Sequence, residues 1–320
     1  MRNTTNLRNE ARRFDIVGAG KRYAADAIPK TASTASKSRF AKGRFSKGRA
    51  GKGFPVFSAA VLLVILLGCI FYGAFVSSDP SRMALDQINV APCSSHWFGT
   101  DTLGRDIWSL IWFGGRKSLF IGALATLIST LIAVVYGTLS GLANKTIDSL
   151  MMRFTEILLS IPSILLIVFM QAVIGQRNVV GISIIIGITG WMSIAKMVRT
   201  EVRKIRESDY VLISRMMGGS FSHVLRKHLA PNFFSTIMFM IVMNIRSAIV
   251  SESTLSFLGI GLPVDIITWG SMLSLSEKAL LTGSWWIILI PGVFLVITLL
   301  CITSLGEYLR GGGGRIHGNL

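Results

Sequence analysis

The chain has 320 residues, of which 51% are hydrophobic and 15% charged, and its mean hydropathy is +0.58. This composition excludes an ordinary water-soluble globular protein and is typical of an integral membrane protein. The net charge of +17 raises the question of nucleic-acid binding. Most of that charge lies in residues 1–53, which contain no recognition motif and no aromatic stacking platform, so we predict no nucleic-acid partner.

Residues 1–53 form the first predicted element, a basic tail with 14 lysines and arginines against three acidic residues. Low hydrophobicity and high net charge predict a cytoplasmic segment without a folded core. Each basic residue near a bilayer can gain about 1 kcal/mol from anionic lipid, so we expect the tail to contact membrane lipid. A cleaved secretory signal is disfavoured because about fifty residues precede the first apolar run.

Six apolar segments follow the tail, and each is close to the roughly 17 to 25 residues that a helix needs to cross a bilayer. An even number of crossings puts both termini on one side. Lysine and arginine accumulate in cytoplasmic loops, and with both termini inside, the inside segments hold 26 of the 33 basic residues. The segments run over 54–76, 118–143, 157–174, 179–195, 233–250 and 280–305.

These segments predict an all-α, multi-pass membrane protein with both termini cytoplasmic. A core domain of five transmembrane helices, 118–306, contains a polar cytoplasmic loop at 198–232. The other predicted parts are a first transmembrane helix at 54–77, an outer loop at 78–117 and a C-terminal tail at 307–320. In the outer loop, Asp101, Arg105 and Asp106 are expected to stabilise a turn rather than to meet a docking protein.

The loop at 198–232 has the pattern of two short helices hinged at Gly218 and Gly219. A second helix would end before Pro231. One face of the first helix is apolar, with Leu212, Ile213, Met216 and Met217 at helical spacing. An apolar ridge outside the membrane predicts a protein partner.

The run DYVLISRMMG, followed thirteen residues after Gly218 by Pro231, resembles the coupling motif of the permease subunits of bacterial binding-protein-dependent ABC importers. In that family the motif is a Glu-Ala-Ala segment, three variable residues, a glycine and a distal Leu-Pro. Leu212, Ile213 and Ser214 occupy the Glu-Ala-Ala positions. The glycine and the proline match the family pattern, whereas the glutamate and both alanines do not.

From about residue 96 to its end, the chain resembles the second-permease type of the dipeptide, oligopeptide and nickel branch of that family. Loss of the motif glutamate is usual in this branch. Two segments depart from its pattern, LPVDII at 262–267 and the tail GEYLRGGGG. The matching blocks, in chain order, are HWFGTDTLGRD at 96–106, GGRKSLFIG at 114–122, DSLMMR with IPS within 148–163, SESTLSFLGIG at 251–261 and TWGSML at 268–273.

The resemblance implies a permease of the type I ABC importer kind, with six transmembrane helices and a coupling-helix loop, in the bacterial inner membrane. Its implied role is half of the translocation pore of an ATP-driven peptide importer. The implied partners are a homologous second permease, two cytoplasmic ATP-binding subunits and an extracytoplasmic solute-binding protein. The residues expected to couple it to the ATPases are Tyr210, Leu212, Ile213, Ser214, Arg215, Met216, Met217, Gly218 and Pro231.

Two alternatives stay open at this point: a nickel or metal-chelate importer of the same architecture, and a channel or secondary transporter that works alone. An enzyme is not expected, because the sequence has no phosphate-binding GxxxxGKS motif and ATP hydrolysis would fall to partner subunits. Ser193 and Lys196 suggest a catalytic dyad only superficially, since Lys196 lies at a predicted cytoplasmic helix end. Neither a metal nor another cofactor is predicted, because the four histidines lack ligand spacing.

Arg246 is the one charged residue well inside the six apolar segments, about 20 Å along its helix from Phe233 and therefore towards the outer leaflet. Two interpretations compete. An interhelical ion pair or snorkelling is slightly preferred, and the second interpretation is a cavity-facing guanidinium in the translocation path, in contact with anionic groups of the cargo.

Overall fold

A computed structural model describes residues 55–75, 80, 82–175, 177–208, 230–263, 265–275, 279 and 282–312, with the backbone alone for 75, 230–236 and 311–312. The described part is helical, as predicted, apart from loops and one isolated bridge between Thr100 and Asp106. A short 3-10 turn lies at Leu85–Gln87. The α-helices are α1 (Val56–Ile70), α2 (Tyr72–Phe75), α3 (Ile107–Leu142), α4 (Lys145–Leu159), α5 (Ser163–Ile174), α6 (Val179–Arg206), α7 (Ala230–Phe257), α8 (Trp269–Ser274) and α9 (Trp286–Gly312).

Four helices in the described ranges are long and apolar enough to cross a bilayer: α3, α6, and the Ile237–Phe257 and Trp286–Arg310 parts of α7 and α9. Helices α4 and α5 meet at 88° and give a fifth crossing if the bent pair spans as one unit. Helix α1 is apolar but has only 15 residues. Each of the six predicted apolar segments therefore falls on a helix, although the crossings differ in length.

Helix α3 begins at Ile107, eleven residues before the apolar run that predicted it. The Asp106 side chain sets this start, because its Oδ2 accepts hydrogen bonds from the Ser109 backbone N at 3.0 Å and the Ser109 Oγ at 2.7 Å. The helix has 36 residues and is therefore about 54 Å long. It outreaches the roughly 30 Å hydrocarbon core of a bilayer.

The bend between α4 and α5 lies at Pro162. Proline disfavours helical geometry in the residue before it, so α4 stops at Leu159 and α5 starts anew at Ser163. Helix α4 has four charged residues in 15, namely Lys145, Asp148, Arg153 and Glu156. These charges make α4 too polar to cross hydrocarbon along its whole length, and Asp148, in its first turn, lies outside the apolar run of 157–174.

Helices α3 and α6 run parallel and touch closely because glycines line the seam. A Cβ on Gly137 would lie 2.6 Å from the Ala195 carbonyl oxygen, and one on Gly141 would lie 2.7 Å from the Val202 Cγ1. Small residues let helix backbones approach within a membrane. The Arg206 end of α6 consequently lies beside Leu142, the last residue of α3.

Helix α7 runs antiparallel to α3, so its Phe257 end lies near the start of α3. The short helix α8 packs into this end of the bundle, where Trp269 is completely buried and its Nε1 donates to the Ile111 carbonyl oxygen at 3.0 Å. Ile65 and Cys69 of α1 join the same apolar cluster. Helix α3 thus contacts α1, α6, α7 and α8 and forms the centre of the bundle.

Candidate functional site

The predicted coupling residues from Tyr210 to Gly218 lie outside the described residues. Pro231 is described by its backbone, which lies in the first turn of α7. A proline is tolerated there because the first amides of a helix have no acceptor within it. The structure describes both flanks of the loop: the end of α6 at Arg206 and the start of α7 at Ala230.

A buried carboxylate joins the first flank to the neighbouring helices. Asp148 of α4 is 3% exposed and accepts two hydrogen bonds of 2.5 Å from the Arg199 guanidinium. Arg203 Nη2 lies 2.8 Å from Asp148 Oδ2, and Ser140 Oγ donates to Oδ1 at 2.6 Å. The carboxylate therefore links α6, α3 and α4.

Arg199 and Arg203 belong to a row of four basic residues on one face of α6. Lys196, at the start of the row, lies 3.5 Å from Glu156 of α4. At the other end, Arg206 Nη1 donates to the Leu142 carbonyl oxygen at 3.1 Å. The spacing of three, four and three residues places all four on one helical face. We call Lys196, Arg199, Arg203 and Arg206 the basic ladder.

Asp148 is the anion at the centre of the ladder. Its hydrogen bonds with Arg199 lower the pKa of this carboxyl to about 2, outweighing the effect of burial, and Ser140 and the charge of Arg203 act in the same direction. Asp148 therefore stays ionised throughout the physiological pH range. The contact is a permanent ion pair and not a titrating switch.

Arg246 lies on α7 beside the early part of the apolar run of α3. The adjacent Ile245 is close to Gly122, four residues into the run that starts at residue 118, since a Cβ on Gly122 would lie 3.5 Å from the Ile245 carbonyl oxygen. Arg246 is exposed and makes no ion pair or hydrogen bond with any residue in the described ranges.

The neighbours of Arg246 include further polar groups at the same depth. Ser247 is exposed, and Asn244 Nδ2 donates to the Ser129 Oγ of α3. A charged side chain in contact with hydrocarbon is costly, so such residues normally face protein or a water-filled cavity. This side of α7 therefore has the chemistry of a surface that faces water or another subunit.

Glu252 is a buried acidic residue that the sequence analysis did not single out. It is completely buried and accepts hydrogen bonds from Thr268 Oγ1 at 2.7 Å and Ser256 Oγ at 2.9 Å. Ser118 and Ser253 lie within 3.4 Å of its other oxygen. The available signal was its place in the SESTLSFLGIG block, two residues beyond the predicted apolar run.

The outer loop is held by an internal ion pair. Arg105 Nη2 and Nε both lie 2.7 Å from Asp101 Oδ2, while the Leu103 and Arg105 backbone amides donate to Oδ1 at 2.9 Å. Gly104 has φ +73° and a Cβ there would lie 1.8 Å from the Ala84 carbonyl oxygen, so the turn requires glycine. These bonds agree with the turn-stabilising role expected of Asp101 and Arg105.

The Ser193 and Lys196 pair has no arrangement suited to catalysis, since Lys196 faces Glu156 as part of the basic ladder. Within the described ranges, no group of three histidine, cysteine, aspartate or glutamate residues could hold a metal ion. In the described ranges, the polar groups that could serve a function are the ion pairs between helices and the polar side chains on one side of α7.

Membrane-length helices packed around one long central helix define a multi-pass helical membrane protein. Residues 133–311 match the family described as binding-protein-dependent transport system inner membrane component. The chain belongs to this family. It is the permease subunit of an ABC importer, an inner-membrane transport component and not a catalytic one.

Three relatives show where the chain lies within the family. It is 36% identical over 250 residues to the dipeptide transport system permease protein DppC of Bacillus subtilis, covering 78% of each chain. It is also 36% identical to the oligopeptide transport system permease protein OppC of the same organism, covering 78% of this chain and 81% of that one. A putative peptide permease protein of Brucella suis is 31% identical, with 80% and 84% covered.

A solved structure supports the fold. The MetNI methionine ABC transporter, in an inward-facing conformation, matches 64% of this chain and 96% of its own matched chain with a TM-score of 0.52. The sequence identity is 19%, so this likeness concerns the fold alone. The predicted permease fold of the type I importer kind is confirmed.

Proposed function

We propose that the chain forms half of the translocation pore of an ATP-driven importer of dipeptides or oligopeptides. The observation that carries the proposal is its 36% identity over 250 residues to two permeases of peptide transport systems. Its partners are a homologous second permease, two cytoplasmic ATP-binding subunits and an extracytoplasmic solute-binding protein. Both termini and the 198–232 loop are cytoplasmic.

Coupling to the ATPases is assigned to the loop between α6 and α7. Leu212, Ile213, Met216 and Met217 supply an apolar ridge that inserts into a groove of the ATP-binding subunit. Gly218 permits the change of direction beyond the ridge. Arg215 lies beside the ridge in sequence and pairs with an acidic rim.

Co-purification of the whole complex tests this assignment. Gly218→Trp should leave the permease inserted but greatly weaken ATPase association, because the indole obstructs the turn and the insertion of the ridge. Arg215→Glu should give a milder defect that depends on salt, since exposed charge pairs are screened. Gly314→Trp, in the glycine run after α9, is the matched control and should behave as wild type. Wild-type association of the Gly218→Trp protein would contradict the coupling role.

Arg246 is assigned to the translocation path. Its exposure and the lack of an acidic partner among the described residues favour the cavity interpretation over the interhelical ion pair. In the cavity its guanidinium meets carboxylate groups of passing peptides. A single cation there attracts anionic cargo without the multiple contacts that would trap it.

Uptake and assembly, measured separately, test the role of Arg246. Arg246→Gln should assemble normally but take up peptide several-fold more slowly, because the charge contact is lost. Arg246→Lys keeps the charge and should retain most of the uptake. Unchanged uptake in Arg246→Gln would remove Arg246 from the path, and loss of assembly in both variants would restore the ion-pair interpretation.

A further inference from the structure

The end of α6 makes several polar contacts with the corner formed by the end of α3 and by α4. Three separate acceptors lie on that corner: the Glu156 carboxylate, the Asp148 carboxylate and the Leu142 carbonyl oxygen. The basic ladder reaches all three from a single helical face. The last three turns of α6 therefore cannot slide or rotate against the corner without breaking several bonds together.

We infer that Asp148 and the basic ladder form a clamp that transmits movement of the coupling loop into α3, which makes Asp148 and Arg203 positioning residues for transport. The inference rests on the proposed function, because it takes the segment after Arg206 as the ATPase contact. That segment begins within four residues of the ladder, at Tyr210. Only three residues separate Arg206 of the ladder from Tyr210, and two of them, Glu207 and Ser208, are hydrogen-bonded to the last turn of α6.

The contact geometry suits transmission of movement better than simple adhesion. Arg199 binds Asp148 with two parallel hydrogen bonds of 2.5 Å, an arrangement that fixes orientation as well as distance. A buried ion pair is often no more stabilising than apolar residues of the same size. The clamp therefore contributes one defined register between α6 and the corner rather than extra adhesion.

Backbone packing continues the clamp along α3. Gly137 and Gly141 bring α3 against the Ala195 carbonyl oxygen and the Val202 side chain of α6, within two turns of Asp148's partners. The two helices thus behave as one body beyond the ladder. About three turns from its first residue, α3 carries Ser118. The Ser118 hydroxyl approaches Glu252 and accepts a hydrogen bond from the Trp269 backbone N at 3.1 Å. Described contacts therefore link the end of α6 at Arg206, through α3, to Glu252 and the start of α8.

Four variants of the full-length chain in the intact complex separate this role from stability. Arg203→Gln removes one bond of the clamp but leaves the buried Asp148 and Arg199 pair. Asp148→Asn weakens the whole clamp. Arg203→Lys restores a cation. Lys204→Gln is the matched control, because Lys204 is the adjacent residue, is exposed, and makes no ion pair with any residue in the described ranges.

The readout is the rate at which a membrane-impermeant maleimide labels a cysteine introduced at Ser247. The chain also carries Cys93→Ser, so that Cys93 does not react. The rate is compared between the nucleotide-free complex and the complex trapped with ATP and vanadate. We expect trapping to change this rate in wild type and Lys204→Gln alike. The change should shrink about threefold in Arg203→Gln, and more in Asp148→Asn, although vanadate trapping by the ATPases persists. Arg203→Lys should recover most of the change.

The outcomes distinguish the clamp from the function on which it rests. A full labelling change in both Arg203→Gln and Asp148→Asn would overturn the clamp while leaving the importer intact. An equal reduction of the labelling change in Lys204→Gln would also overturn the clamp, because the loss of any positive charge near the end of α6 would then have the same effect. If the wild-type chain fails to co-purify with ATP-binding subunits, or trapping alters nothing, the proposed function itself is wrong.

Discussion

Glu252 is a buried acidic residue with hydrogen-bond partners on both carboxyl oxygens. Thr268 Oγ1 and Ser118 Oγ each accept a backbone amide, from Ser271 and Trp269 respectively. Each hydroxyl hydrogen is then free to point at Glu252. The carboxyl group thus accepts hydrogen bonds on both oxygens and ties α7 to α3 and to the start of α8.

Replacement of Glu252 should therefore disturb the anchoring of α8. Glu252→Leu leaves the surrounding hydroxyls without their acceptor, and we expect a loss of more than about 2 kcal/mol in the free energy of unfolding. Glu252→Gln keeps one acceptor oxygen and should lose less. Thermal unfolding in detergent measures both changes.

The control for this prediction is Thr254→Val on the same helix. The Thr254 hydroxyl donates only to the Val250 carbonyl oxygen one turn earlier, so its loss should be nearly neutral. If Glu252→Leu unfolded at the temperature of Thr254→Val, the hydrogen bonds around Glu252 would contribute nothing to anchoring.

At the scale of elements, the seam between α3 and α6 depends on glycines rather than on large side chains. At Gly137 the nearest group is a backbone oxygen, that of Ala195, which cannot rotate away. A methyl group there would force the helices apart. The opposite case lies on α6 itself, where a Cβ on Gly190 would come no closer than 3.7 Å to Asn244 Oδ1.

Gly137→Ala and Gly190→Ala form a matched pair of minimal substitutions. Overpacking should make the first variant less stable by about 1–3 kcal/mol. The second should be neutral or slightly stabilising, because it removes a flexible glycine from a helix interior. The two melting temperatures measured in detergent provide the comparison, and equal values would show that the seam is loose.

The elements that sequence predicts well here are those fixed by local composition. Apolar runs located all six helical segments because hydrocarbon leaves the backbone few alternatives to helix. The apolar pattern did not predict the helix ends that depend on residues outside each run. Arg116 and Lys117 ended the apolar run that marks α3, although Asp106 starts that helix earlier. The single apolar run predicted at 157–174 is divided at Pro162, where α4 and α5 meet at 88°.

The site residues likewise divide into those evident from the sequence and those recognised only from contacts between distant residues. Arg246 stood out because a charged residue inside an apolar run is evident from the sequence alone. The ladder did not, since its residues look like ordinary cytoplasmic-end cations until Asp148, 51 positions from Arg199, is placed beside them. Glu252 likewise meets Ser118 across 134 positions. The coupling-loop residues stay a prediction from the sequence and its resemblance.

At the scale of the whole molecule, the three cysteines provide a direct test of orientation. Cys69 and Cys301 are buried in helices, whereas Cys93 is exposed in the outer loop. The hydrogen bond with Ser95 and one from the His96 backbone amide lower the pKa of the Cys93 thiol below its usual 9.0. A larger thiolate fraction at neutral pH makes Cys93 reactive.

Cys93 should accordingly be modified in spheroplasts by a membrane-impermeant maleimide at pH 7, while Cys69 and Cys301 stay unmodified. The Cys93→Ser chain is the control and should take up no label. A cysteine introduced at Ser214 should react only after the membrane is opened. Reaction at Ser214 in intact spheroplasts, with Cys93 protected, would reverse the proposed orientation.

The length of α3 has a mechanical consequence for the whole subunit. A straight rod of about 54 Å that pivots near Leu142 moves its far end by roughly 1 Å for each degree of tilt. A rotation of a few degrees at the pivot thus shifts Ile107, and the tightly bonded outer loop beside it, by several ångströms. A helix of this length would serve as a lever arm, since a modest turn at one face of the membrane would give a displacement of several ångströms at the other, with no hinge inside the hydrocarbon.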